Sequence, residues 1–333
     1  MQDSLNVTEA DLGGLGWDDW RERLHDVAGE DGFAEPLGSR HAAVFVEHKP
    51  VLLVTFESYG SIQERSEAGH PLGWQMRDAL GWSHLCLVSQ GDTWFRDRHV
   101  YGFFDRLIDD GFFEEFDQVL FYGAGPCGYA AAAFSVASPG ARVLALQPQA
   151  TLDPRVAEWD DRYRHMRRTD FTSRFGYAPD MLDAAEQAYV VYDPEQELDA
   201  MHAALFTRAN VTKVRARFFG LDLQTMLLQL EVLYRMLAQI SAGKFNVGNR
   251  ARLLRTRRAN PAYQFNLLRQ LQQRDRHGLV MMLCRNVLER RNARPFRKAL
   301  REAEAALNAR PHRDGAAAAR DAGQNAPPGE TPG

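Results

Sequence analysis

Cysteine is scarce: the 333 residues hold three, Cys86, Cys127 and Cys284. An odd number, widely separated, argues against a disulfide framework, and none of the three has metal-ligand spacing, so no metal and no cofactor is expected. A long apolar run is also missing. Nothing approaches the roughly 18 residues that cross a bilayer, and the polar, acidic stretch "MQDSLNVTEADLGG" is not a basic leader followed by an apolar segment. The expectation is a soluble protein of a reduced compartment, cytoplasmic and without a membrane partner. Internal repeats and nucleic-acid motifs are likewise missing.

What is present is enough apolar residue, 45% of the chain, to bury one large core or a core with an appended layer. The net charge of −4 hides an asymmetry. Residues 231–312 carry 18 Lys or Arg against 5 Asp or Glu, and residues 1–230 carry 20 against 36. A basic segment can attract nucleic acid, anionic lipid or an acidic protein. With no interleaved aromatics, nucleic acid is not favoured, and a solvated arginine face or attraction between the halves accounts for the charge.

Short β-branched or aromatic runs recur at 50–57, 84–89, 118–122, 142–147, 189–193 and 211–217, with helical patterns between them. That alternation predicts an α/β fold: a mostly parallel sheet with helices on both faces. Residues 99–116 repeat apolar positions at spacings of three and four, as an amphipathic helix does. Beyond about 223 the patterns are helical only. The chain therefore divides into an N-terminal helical segment (1–40), an α/β core (41–225), a basic helical C-terminal extension (226–312) and an Ala, Gly and Pro-rich tail expected to be disordered (313–333).

The segment "QVLFYGAGPCGYAAAAF" (118–134) joins a strand to a small-residue helix through a glycine corner. Two kinds of site have this shape. Gly123, Gly125 and Gly128 satisfy G-x-G-x-x-G, but the next strand runs into "PQATLDP" with no acidic residue to hold a ribose. The other is the nucleophile elbow of an α/β hydrolase. "YGAGPCGYAA" resembles the elbow of a branch of bacterial α/β hydrolases that reads roughly Y-G-S-S-M-G-G-Y-A-A. The likeness continues through "RVLALQPQATLDP" and "VVYDPEQELDAMHAALF", so that it covers about residues 50–225.

That resemblance implies an α/β-hydrolase-like core with a degenerate triad. Gly125 stands at the nucleophile's place, and glycine adopts the elbow's strained φ freely while supplying nothing that attacks. Pro126 stands where an oxyanion-hole N–H is needed and has none. Leu221 stands where the family's histidine should follow the last strand. Asp193 matches the catalytic acid, and Asp199 and His202 match a neighbouring D-x-x-H-A pattern. Nucleophile, base and oxyanion donor work as a unit, so three losses imply a catalytically silent protein with a binding, scaffolding or regulatory role.

Two alternatives stay open. Shifting the frame by two makes Cys127 the nucleophile of an acyl hydrolase or transferase, with Gly128 supplying the oxyanion N–H and His202 or His165 and Asp193 as partners. The whole chain is also similar to alphaproteobacterial proteins that carry the name phosphoadenosine phosphosulfate reductase, which would make it a nucleotide-handling enzyme. It lacks the serine and glycine-rich nucleotide loop of such reductases, and Cys284 sits in "MLCRNV" rather than C-G-x-H. Ligand-binding candidates lie in two further loops: Asp92, Trp94 and Arg96 after the strand at 84–89, and Trp159 and Arg162 in a lid-like insertion at 158–177. A small molecule or a protein partner is expected, and "GLVMMLC" (278–284) is a candidate homo-oligomer contact.

Overall fold

The computed structural model describes residues 10–28, 32–48 and 50–309, and the chain divides after Asn260 into two compact units. In chain order the first holds α1 (Trp17–Ala28), β1 (Gly32–Leu37), β2 (His41–Val46), β3 (Val51–Ser58), α2 (Tyr59–Arg65), α3 (Gly73–Leu80), β4 (Ser83–Ser89), α4 (Arg98–Asp109) and β5 (Gln118–Ala124). It continues with α5 (Pro126–Phe134), β6 (Arg142–Leu146), α6 (Pro154–Ala157), α7 (Ala178–Met181), β7 (Gln187–Tyr192), α8 (Glu197–Leu205), β8 (Val211–Arg215), α9 (Leu223–Gln229), α10 (Leu233–Ser241) and α11 (Val247–Leu254). The strands form one eight-stranded sheet in the order β1-β2-β4-β3-β5-β6-β7-β8. β2 runs antiparallel to both of its neighbours, and every pairing from β4 to β8 is parallel.

All six expected strands are in the sheet. β1 and β2 are additions, because "GFAEPL" and "HAAVFV" lack β-branched alternation. Pro36 is tolerable in β1 because that strand is the sheet's edge. The segment read as helical over 1–40 is thus helical at Trp17–Ala28 and extended at Gly32–Leu37.

One face of the sheet packs Phe56 and Phe121 against α4 and α5, with Phe134 of α5 among the buried residues there. The amphipathic pattern at 99–116 becomes α4, whose Val100, Phe103, Phe104 and Leu107 are buried. Asp97 starts it by accepting the His99 N–H at 2.8 Å, and Gly111 at φ 69° turns the chain into a short 3-10 turn at 112–115. The opposite face is covered by α1 and α3, through Trp20, Leu24 and Trp74 over Val44, Cys86 and Val88. Each buried aromatic is worth roughly 1.5–3 kcal/mol of burial, so the sheet is anchored from both sides.

The helical extension does not separate at 226. α9 to α11 belong with the sheet: Leu233, Met236, Leu237 and Ile240 of α10 are buried, and the Arg142 guanidinium of β6 donates to the Ile240 carbonyl at 2.9 Å. The second unit holds α12 (Pro261–Gln273), α13 (His277–Arg290) and α14 (Arg294–Asn308) around its own core of Leu268, Val280, Cys284, Val287 and Phe296. Within "GLVMMLC", Val280 and Cys284 face that core while Leu279 and Met282 are exposed. The expected tail at 313–333 lies outside the described residues. Among the described residues no helix is long and apolar enough to cross a membrane.

Candidate functional site

The chain reverses at Gly125, between the end of β5 and the start of α5, with φ 58° and ψ −124°. Only glycine holds such angles without strain. The neighbouring glycines are there for a different reason. A Cβ on Gly123 would lie 2.0 Å from the Cys127 carbonyl oxygen, and one on Gly128 would lie 2.9 Å from that of Leu146. They let strand and helix close tightly, which accounts for the G-x-G-x-x-G match sterically. A Cβ on Gly125, by contrast, would meet nothing within 4 Å. The corner points into open space.

That space is a cavity of about 240 Å³ at the carboxyl ends of the strands, where sites form in open α/β sheets. Its wall is built from Phe56, Glu57 and Ser58 at the end of β3, Ser61 and Arg65 on α2, and the elbow residues Ala124, Gly125 and Cys127. Gln147, Leu221, Asp222 and Gln224 close it. Gln224 bridges two other groups: with its amide nitrogen on the Tyr122 hydroxyl (2.9 Å), its oxygen accepts from Arg65 at 2.8 Å. A larger cleft of about 540 Å³, beside Asp117, Gln118, Gly140 and Glu186, opens at the amino ends of β5 to β7, away from the elbow.

This strand order, with the sharp turn after β5 and an aspartate after β7, defines the architecture. The arrangement is α/β-hydrolase-like. The sequence itself matches no family profile and no curated protein. Solved structures to which it is similar include a hyperthermophilic esterase from the archaeon Pyrobaculum calidifontis (14% identity, 69% of this chain and 92% of that one, TM-score 0.38). Others are carboxyl esterase 2 from the fungus Tuber melanosporum (11% identity, 64% and 89%, TM-score 0.37) and the acylaminoacyl peptidase of Pyrococcus horikoshii (8% identity, 65% and 42%, TM-score 0.39).

Each residue at a triad position has a definite setting. Pro126 is the first residue of α5 and brings no N–H. Cys127 is 9% exposed, and burial, with the Glu57 carboxyl adding to it, pushes its thiol up to about 12. Asp193 is fully buried at the end of β7, where its carboxylate accepts the N–H groups of Glu195 (3.0 Å), Phe218 (3.1 Å) and Gly220 (2.9 Å). The aspartate thereby pins the loop after β8. On that loop Leu221 stands at the cavity with 81% of its surface exposed. Gln147, at φ 47°, holds the same loop from the other side: it accepts the Leu223 N–H at 3.0 Å and donates to the Leu221 carbonyl at 3.0 Å.

His202 faces elsewhere. Its Nδ1 accepts the Ala150 N–H at 3.2 Å and its Nε2 lies 2.9 Å from Asp160. Arg162 joins Asp160 (2.8 Å) to Asp199 (2.7 Å), and Gln147 donates to Asp199 at 2.7 Å. Burial opposes the Asp160 charge, yet the hydrogen bonds from His202 and Arg162 outweigh it and hold that carboxyl well below the usual range. The network ties the insertion after β6 to α8.

The other loop candidates are also engaged within the fold. Trp94 is buried at φ 50° and its indole N–H reaches Gln149 at 3.3 Å. Arg96 donates to the carbonyls of Asp170 (2.9 Å), Ser173 (3.1 Å) and Arg174. Asp92 pairs with His165 at 3.2 Å, and Trp159 donates to the Val156 carbonyl at 3.1 Å, its ring lying 4.5 Å from that of His202. None of these five candidates lines the elbow cavity. The cavity's polar wall was missed at Glu57, Arg65, Gln147 and Gln224. One signal existed: Glu57 ends an otherwise apolar strand, and a buried carboxylate demands partners.

Proposed function

We propose that this protein is a hydrolase fold without hydrolase chemistry, a pseudoenzyme whose elbow cavity binds a small polar molecule. The observation that carries the reading is Gly125: the backbone keeps the strained geometry of a nucleophile elbow, the space in front of it is open, and no side chain stands there to attack. Pro126 removes an oxyanion donor, and Leu221 replaces a base with an exposed apolar group. The reading with Cys127 as nucleophile has less support, because a thiol held near 12 is protonated at neutral pH.

The lining suits a ligand of modest size that carries hydroxyl, carbonyl or amide groups. Arg65 and Ser61 can donate, Glu57 and Asp222 can accept, and Leu221 supplies apolar contact. Thermal shift and isothermal titration against a panel of sugars, amino acids and short carboxylic acids test this. A hit is expected to raise the melting temperature of the wild type and to lose at least about tenfold in affinity in Arg65→Ala. Hits that bind Arg65→Ala equally well would place the ligand elsewhere and contradict the reading.

A further inference from the structure

The residues of β3 and β4 bring together a donor set that no spacing of cysteines foreshadows. These strands are parallel neighbours, with Leu53 opposite His84 and Thr55 opposite Cys86. Because side chains alternate along a strand, Thr55 and Glu57 point to the same face as His84 and Cys86, the face covered by α1 and α3. All four are buried, with Thr55 0%, Glu57 4%, His84 1% and Cys86 0% exposed. Among the described residues, the ligand atoms of Glu57, His84 and Cys86 are the one such set of three lying within 4.8 Å of one another.

We infer that Glu57, His84 and Cys86 form a buried site for a thiophilic divalent cation, zinc or cobalt. Imidazole, thiolate and carboxylate are the ligands such ions take, at bonds that put tetrahedral donors about 3.3–3.7 Å apart. Cys86 Sγ already lies 3.6 Å from Glu57 Oε1. Thr55 Oγ1 sits between the other donors, 2.8 Å from His84 Nε2 and 3.0 Å from Glu57 Oε1. Part of the outer shell is in place: the Leu72 N–H donates to both oxygens of Glu57, at 2.9 and 3.1 Å, and fixes that carboxylate. His84 Nδ1 has no hydrogen-bond partner, while Thr55 Oγ1, whose own proton goes to Glu57, accepts from Nε2–H; taking a cation at Nε2 moves that proton to the free Nδ1. Binding expels the Cys86 thiol proton to solvent. A divalent ion with one thiolate and one carboxylate is then net neutral, the state a buried set of charges requires. Glu57 also borders the elbow cavity, whereas His84 and Cys86 do not line it, so the thiolate band reports on the metal site alone.

The test is metal analysis of the full chain, refolded with zinc or cobalt and dialysed against metal-free buffer. Close to one ion per chain is expected to be retained. The cobalt form should show visible bands of a tetrahedral centre and a thiolate-to-cobalt charge-transfer band in the near ultraviolet. That band should vanish in Cys86→Ser and persist in Cys127→Ser and Cys284→Ser. Glu57→Gln, nearly isosteric, should weaken retention at least about tenfold, as loss of one ligand does. If Cys86→Ser fails to fold, the wild-type stoichiometry, the charge-transfer band and Glu57→Gln still decide. Wild-type protein that retains no metal, or cobalt bound without a thiolate band, overturns the site and leaves a closed hydrogen-bond network.

Discussion

A glycine's role depends on what a side chain in its place would meet, and three glycines in one turn give different answers. Gly123→Ala would drive a methyl into the Cys127 carbonyl at 2.0 Å, and a loss of more than about 3 kcal/mol in urea unfolding is expected. Gly125→Ser meets open space and should cost only the strain of its φ, about 1–3 kcal/mol. That variant is expected to fold and still to hydrolyse no ester, since Pro126 and Leu221 are unchanged. A second residue-scale effect concerns acid. Burial lowers buried His41 from 6.5 to about 4, against Asp97, which raises it, and with Arg40 and His99, which lower it. The unfolded chain therefore takes up this proton before the native one does. The stability tied to neutral His41 is complete above pH 6.5 and drains away as pH falls toward 4, by on the order of 3 kcal/mol in all. Urea titrations at about pH 7.5 and about pH 4.5 should show a smaller difference in His41→Gln than in the wild type.

Element by element, the sheet was legible wherever strands carry β-branched or aromatic runs, and β3 to β8 follow that signal. β1 and β2 did not announce themselves, because an edge strand with Pro36 and a strand opening "HAA" are held by pairing and burial rather than by propensity. Of the residues that line the elbow cavity, the sequence singles out Gly125, Cys127 and Leu221, which lie in or between local motifs. The site was not legible at Arg65, Gln147 and Gln224, which meet only through the crossing of α2, the loop after β6 and α9. Composition likewise gave no hint that His202 would be consumed by Asp160 and Ala150. The loop after β8 is an element of its own, held by Asp193 and Gln147 from two sides. Asp193→Ala strands three backbone N–H groups, and a loss of about 2–4 kcal/mol in urea unfolding is expected, with earlier proteolytic cleavage near residues 217–223.

At the scale of the whole molecule the charge asymmetry at residue 230 does not mark the structural boundary. Hydrophobic cores do: among the described residues, clusters flank the sheet and a separate one lies within α12 to α14. A chain ending at Asn260 is expected to keep the near-ultraviolet circular dichroism of the sheet unit, whereas one ending at residue 225, where composition alone would cut, removes buried α10 and should lose it. The proposed reading is an α/β-hydrolase-like scaffold around an elbow with no nucleophile. Its most direct test is intact-protein mass spectrometry of the folded full chain after exposure to an activated acyl ester and to a fluorophosphonate. The expected result is an unmodified mass with both reagents, and Cys127 labelled by alkylators only after denaturation. A single stoichiometric acyl or phosphonyl adduct within residues 122–131, accompanied by ester turnover, would contradict it.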